Sequence, residues 1–263
     1  MDLKEKRILL TGATGGLGQE LAIALARRDA ELTLVGRDEA KLLQLKNSLF
    51  QIGKSAHTIG IDLSETGAIS HVSKAARRYM GGVDILINNA GVMDFIKFEQ
   101  QTPERIEQMI ETNVTIPIQL TNAMLAEFLL RGTGHLVFVG SIFGSLGFPH
   151  FATYCASKFA IHGFSQSLRR ELLGTNIGVT YIAPRGINTA MNDANTVAMW
   201  EKTNSEMDEP VVVANRIVRG LEKNQQEVFI GQPQSFFAWL NGVCPKLVSS
   251  GIKKDTAIAS HFL

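Results

Sequence analysis

Thr11-Gly12-Ala13-Thr14-Gly15-Gly16-Leu17-Gly18 follows directly on the apolar run Arg7–Leu10 and opens a segment of helical period, Leu17–Arg28. Glycines at such a strand-to-helix junction let the backbone turn tightly and come close to a pyrophosphate, whose charge the helix N-terminal N–H groups hold. The Gly12/Gly16/Gly18 spacing is the TGxxxGxG form of this turn, not GxGxxG. A tight connection with no ligand is the bland alternative. Position after a strand, at the opening of a helix and near the start of the chain, favours a nucleotide.

Working outward, short apolar runs alternate with amphipathic segments, the pattern of βα units around a parallel sheet. The runs are Arg7–Leu10, Glu31–Val35, Ala56–Gly60, Val83–Ile87, His135–Val139, Gly178–Ile182 and Glu227–Ile230. Helices are expected over Leu17–Arg28, Glu39–Gln51, Glu65–Met80, Pro103–Leu130 and Phe151–Leu173, with Thr102 capping the fourth. The fold class is therefore α/β, a Rossmann-type doubly wound sheet of seven parallel strands with helices on both faces. No linker or repeat divides residues 1–263, so one domain is expected. Asn188–Asp208 is polar and reads as a substrate-covering loop, and Pro233–Leu263 as a C-terminal extension.

Composition narrows the function. The 26 Lys and Arg balance 25 Asp and Glu, so nothing drives the chain toward nucleic acid. Two cysteines, Cys155 and Cys244, make no disulfide framework, and the six histidines lack metal-ligand spacing. No signal peptide or spanning run is visible, so a reducing, cytoplasmic setting is the expectation.

The second strand ends in Gly36-Arg37. Gly36 leaves room, and the Arg37 guanidinium suits a 2′-phosphate, so NADP(H) is favoured over NAD(H). A solvated loop charge is the other reading of Arg37. Asp38 resembles a ribose-binding acid but opens the next helix, where an N-cap is the better reading. Tyr154 and Lys158 lie i, i+4 and so share a helix face. A nearby ammonium is expected to lower the tyrosine pKa toward the range of useful acid–base work. Ser141 ends the strand before that helix, where its hydroxyl can reach a substrate oxygen. Asn113 is a polar interruption in an apolar helix, either functional or a satisfied core amide.

Together these residues resemble the short-chain dehydrogenase/reductase superfamily, in its shorter-chain branch. The chain matches Gly12, Gly16 and Gly18; Asp62-Leu63 after strand three; Asn88-Asn89-Ala90-Gly91 after strand four; then Asn113, Ser141 and Tyr154-Cys155-Ala156-Ser157-Lys158, in family order. The resemblance spans roughly residues 5–231. It implies hydride transfer between nicotinamide C4 and a carbonyl or secondary alcohol. Tyr154 would be general acid/base, Ser141 would orient the substrate oxygen, and Lys158 would hold the nicotinamide ribose and depress the tyrosine pKa. Asn113 would anchor a proton-relay water. Asp62 would contact adenine and Asn89 would position the cofactor. The remaining cofactor contacts would come from Thr14, Leu17, Leu63, Ala90, Gly91, Pro184, Ile187 and Thr189.

One departure stands out, since Pro184-Arg185-Gly186-Ile187-Asn188-Thr189 carries Arg185 where the family has a flexible glycine. Arg185 either binds an acidic substrate group or points outward. Ile142, Phe143, Phe148, Phe151 and Met191 are expected to line an apolar substrate pocket together with Arg185. The tail Phe236-Phe237-Ala238-Trp239-Leu240 is expected to pack on the body or at a subunit interface, with a membrane surface as the alternative. The resemblance implies pairing through the helices of Pro103–Leu130 and Phe151–Leu173, and the tail is expected to limit the assembly to a homodimer. The competing function is a nucleotide-binding sensor or scaffold protein on the same fold, without turnover.

Overall fold

The computed structural model describes residues 1–263. Seven strands form one parallel sheet in the order β3-β2-β1-β4-β5-β6-β7. They are β1 (Arg7–Thr11), β2 (Glu31–Gly36), β3 (Ala56–Gly60), β4 (Ile85–Asn88), β5 (Gly134–Val139), β6 (Ile177–Pro184) and β7 (Glu227–Ile230). Strand order reverses between β1 and β4, which pair in register through Leu9 and Leu86. At such a switch point the two crossovers leave on opposite faces, and a crevice opens beyond the strand ends.

The central strands are apolar at nearly every position because both faces are covered. On one face α1 (Gly16–Ala26), α2 (Glu39–Gln51) and α8 (Pro210–Glu222) share a core with the sheet that includes Leu21, Leu45 and Ile217. On the other, α3 (Ala68–Met80), α5 (Ile116–Arg131) and α6 (Ala152–Glu171) do so through Val72, Leu120 and Ile161. Helix ends follow local chemistry. Asp38 accepts a hydrogen bond from the Lys41 N–H at 3.0 Å, so it caps α2 and its carboxylate is engaged there. Thr102 caps α4 (Pro103–Ile110) in the same way.

Two expectations need revision. The single helix expected over Pro103–Leu130 is α4 and α5 joined by one π-helical turn, Glu111–Thr115, with Asn113 at its middle. Such turns recur at functional sites because the extra residue re-aims side chains. The expected loop over Asn188–Asp208 contains a helix, α7 (Ala194–Lys202), capped by Asp193 and anchored by buried Met199 and Trp200. The extension folds as a helical hairpin, α9 (Gln234–Val243) and α10 (Pro245–Ala259), whose Ala238, Val248 and Ala259 pack into a third apolar cluster beside the crevice. No helix is long and apolar enough to cross a membrane.

Candidate active site

The turn after β1 is built so that its backbone stays exposed to a ligand. Gly12 has φ of 63°, and a Cβ there would come within 2.7 Å of the Ala90 backbone. A Cβ on Gly18 would lie 2.1 Å from the Gly12 carbonyl oxygen, so only glycine lets α1 start this close to the turn. The opening of α1 has neither a side-chain cap nor an acidic residue in its first turn. Its first N–H groups and dipole therefore face the crevice without an internal anion. Asn89 braces the turn from β4, donating from Nδ2 to the carbonyls of Thr11 and Gly12, both at 3.1 Å. The Thr11 hydroxyl accepts from the N–H groups of Asn89 and Ala90. Thr11 opens the glycine motif in the sequence, but its bracing role shows only in these contacts.

A single cavity of about 1240 Å³ runs from this turn past the ends of β4, β5 and β6 to the C-terminal hairpin. It is lined by every expected cofactor residue, from Gly12, Thr14, Gly16, Leu17 and Gly18 through Arg37, Asp62, Leu63, Asn89, Ala90 and Gly91 to Pro184, Ile187 and Thr189. At the β2 end, Arg37 is joined on the wall by Lys41, which the sequence reading missed. Arg37 lies 3.6 Å from Asp62, whose carboxylate also accepts from the Ser64 N–H and hydroxyl, and this holds the Asp62 pKa down. The glycine cradle and the uncapped helix start fit the pyrophosphate of a dinucleotide.

Ser141, Tyr154 and Lys158 meet on the wall of the same cavity, below the end of β5. Ser141 follows the last residues of β5, and its hydroxyl accepts from the Phe143 N–H at 3.1 Å, starting a short 3-10 turn. Lys158 Nζ lies 5.6 Å from the Tyr154 ring centre and donates to the Val139 carbonyl at 3.1 Å. Burial pushes the Tyr154 phenol up to about 12, opposed by the Ser141 hydroxyl, and pushes the Lys158 ammonium down to about 8. The expected lowering of the tyrosine pKa by the lysine is therefore not met in this state. The ammonium is held toward a backbone oxygen, and desolvation of the phenolate dominates.

Asn113 accepts from the Val92 N–H at 2.8 Å and donates to the Val92 carbonyl and the Ser157 hydroxyl at 2.9 and 3.0 Å. Its side chain is thus the satisfied amide of the blander reading, fastening the β4 loop to α6. Gly91 permits this crowding, since a Cβ there would lie 3.2 Å from Asn113 Oδ1 and 3.6 Å from Lys158 Nζ.

Tyr181, fully buried in β6, was also missed. Its hydroxyl donates to the Ser141 carbonyl at 3.1 Å and accepts from the Ser141 N–H at 3.4 Å. Its ring stacks on His162 at 4.2 Å. Tyr181 therefore fixes the backbone that carries the Ser141 hydroxyl.

Beyond Tyr154 the cavity wall carries a cluster of apolar side chains beside polar ones such as Asn192, Thr203 and Glu206. Ile142, Phe143, Phe148 and Met191 line the cavity as expected, with Met93, Trp200 and Met207 added. Phe151 does not line it. Phe151 precedes α6 and its ring is sealed between Phe95 and Trp200, at 5.1 and 5.8 Å, so it supports the wall from behind. Arg185 borders the cavity, but its charge is already engaged. It pairs with both Asp208 carboxylate oxygens at 2.8 and 3.0 Å, with Glu206 at 2.9 Å and with the Gln232 carbonyl at 2.9 Å. It neither points outward nor stands free for an acidic substrate. It ties the end of β6 to the segment after α7 and to the start of the hairpin.

This constellation has known relatives. Residues 6–199 match the sequence profile of the short chain dehydrogenase family. The chain is 32% identical to dehydrogenase/reductase SDR family member 7B of Bos taurus, over 94% of this chain and 82% of that protein. It is 30% identical to the ketoacyl reductase HetN of Nostoc, over 88% of this chain and 80% of that one. A short chain dehydrogenase/reductase of Burkholderia phymatum, crystallised in complex with NAD, superposes with a TM-score of 0.85 at 20% identity, covering 94% of this chain and 96% of its own. That structural likeness shows the fold. The profile match, the two relatives and the assembled residues place the chain in the short-chain dehydrogenase family of oxidoreductases.

Proposed function

We propose that this chain transfers a hydride between NADP(H) and a carbonyl or secondary alcohol, with Tyr154 as the general acid/base. The observation that carries the reading is one cavity that joins the glycine cradle to Ser141, Tyr154 and Lys158. When bound there, the dinucleotide supplies or takes up the hydride at its nicotinamide ring. Ser141 Oγ donates a hydrogen bond to the substrate oxygen, orienting and polarising it. Tyr154 Oη donates its proton to that oxygen in reduction and receives it in oxidation. With the phenol held up near 12, Tyr154 is protonated at neutral pH, which suits reduction, and oxidation gains as pH rises. Lys158, still charged at neutral pH, holds the cofactor ribose and favours the phenolate when the proton leaves.

The preference for NADP(H) rests on Arg37 and Lys41 at the end of β2, and on Asp38 being engaged as the α2 cap. The NAD in the Burkholderia phymatum structure belongs to that protein. Titrating wild type and Arg37→Glu with NADPH and NADH tests the choice. Tighter NADPH binding that reverses in the variant supports it, and a wild-type preference for NADH refutes it. The reading extends to a cytoplasmic homodimer paired through α5 and α6, where Leu129, Leu130 and Phe159 are exposed. A monomeric mass by light scattering would count against the pairing.

A further inference from the structure

The α9–α10 hairpin has two unlike sides. Inward, Ala238, Val248 and Ala259 are buried against the body. Outward, Phe236, Trp239 and Val243 recur at i, i+3 and i+7, one face of α9. Trp239 is 62% exposed and Val243 67%, and the Phe236 and Trp239 rings touch at 5.7 Å. At the tip, Val243-Cys244-Pro245-Lys246-Leu247 is exposed throughout. Packing within this chain explains none of that outer surface, and a contiguous apolar patch on a chain this size marks a contact with something else.

Charge says with what. The whole chain is balanced, yet residues 228–254 contain no Asp or Glu, while Lys246, Lys253 and Lys254 are all exposed on the hairpin. A two-fold contact between copies through this face would bring both lysine sets together, and within the hairpin only Asp255 could offset them. Aromatic and aliphatic side chains rimmed by lysines suit the headgroup region of an anionic bilayer. The same hairpin also walls the cavity. Phe237 and Leu247 are exposed and line it, and Leu240 and Ile252 continue the apolar wall inward toward Phe148 and Trp200. Exposed Phe237 and Leu247 therefore bring the cavity wall to the surface beside the patch.

We propose that the α9–α10 hairpin docks this chain on an anionic lipid bilayer, and that a lipophilic carbonyl or alcohol enters the cavity from it. The docking stands independently of the hydride-transfer reading, whereas the substrate class rests on it. Co-sedimentation with phosphatidylcholine vesicles, with and without phosphatidylglycerol, tests the docking. Binding is expected to be on the order of tenfold or more tighter on the anionic vesicles. Brominated lipid should quench Trp239 and spare buried Trp200. Two variants, Trp239→Ser/Val243→Ser and Lys246→Glu/Lys253→Glu/Lys254→Glu, alter residues that do not line the cavity. Each should lose vesicle binding by about tenfold or more while keeping the unfolding temperature and turnover of a short, soluble ketone. Turnover of a long-chain ketone presented in anionic vesicles should fall in both. No vesicle binding by wild type, equal binding by the variants, or a dimer that the same substitutions dissolve without any vesicle binding would overturn the docking. Vesicle binding with no turnover of any ketone would overturn the substrate assignment together with the hydride-transfer reading, and leave the docking standing.

Discussion

Replacing Lys158 with Met should make the folded chain more stable at neutral pH while destroying its activity. Burial lowers the ammonium from 10.5 to about 8, so the folded state holds the charged form at a penalty of about 3 kcal/mol at pH 7. Met removes that penalty and fills similar volume. It also strips the Val139 carbonyl of its donor, a loss of about 1 kcal/mol. The net gain of about 2 kcal/mol corresponds to roughly 4–6 °C in melting temperature for a chain of this size. The sign can be checked with pH. The folded state releases the lysine proton near 8 and the unfolded state only near 10.5. Wild type therefore gains on the variant through that window, and the difference closes toward its upper end. Thermal unfolding of both proteins without added nucleotide, from pH 7 to 10, reads this directly. A variant less stable than wild type at pH 7, or a gap that ignores pH, would refute a buried ammonium held for function.

Three further outcomes follow from the geometry. Gly18→Ala places a Cβ 2.1 Å from the Gly12 carbonyl oxygen, so nucleotide affinity should fall more than about tenfold with a stability loss of about 1–3 kcal/mol, seen by fluorescence titration and denaturant unfolding. Tyr181→Phe frees the Ser141 backbone, so kcat should drop while the KM for nucleotide holds; a matched rise in that KM would argue against a positioning role. His135 is buried against Thr180 with its pKa lowered to about 4 from 6.5, so stability present above 6.5 should be lost as pH falls through that window. His135→Gln should flatten this part of the profile.

The alternation of strands and helices was readable because a sheet covered on both faces demands continuous apolar runs. The glycine turn was readable because few residues tolerate its geometry. Tyr154, Lys158 and Ser141 stood out through spacing and position at element ends. What the sequence hid depends on tertiary partners. The π-helical turn at Asn113 is set by Val92 and Ser157, distant in sequence or on another element. Tyr181 reads as an ordinary strand aromatic until its hydroxyl is seen on Ser141. Phe151 was placed in the pocket because apolar residues near an active site all look alike; only its packing on Phe95 and Trp200 separates support from lining. Arg185 is explained by Glu206 and Asp208, more than twenty residues away.

The central claim is tested most directly by following NADPH consumption with a panel of ketones in wild type and Tyr154→Phe, beside NADPH binding to both. The account predicts that both proteins bind NADPH, that wild type reduces members of the panel, and that Tyr154→Phe loses about a hundredfold or more in rate. Undiminished turnover in Tyr154→Phe would contradict the assigned acid/base, and binding without any turnover in wild type would favour the nucleotide sensor.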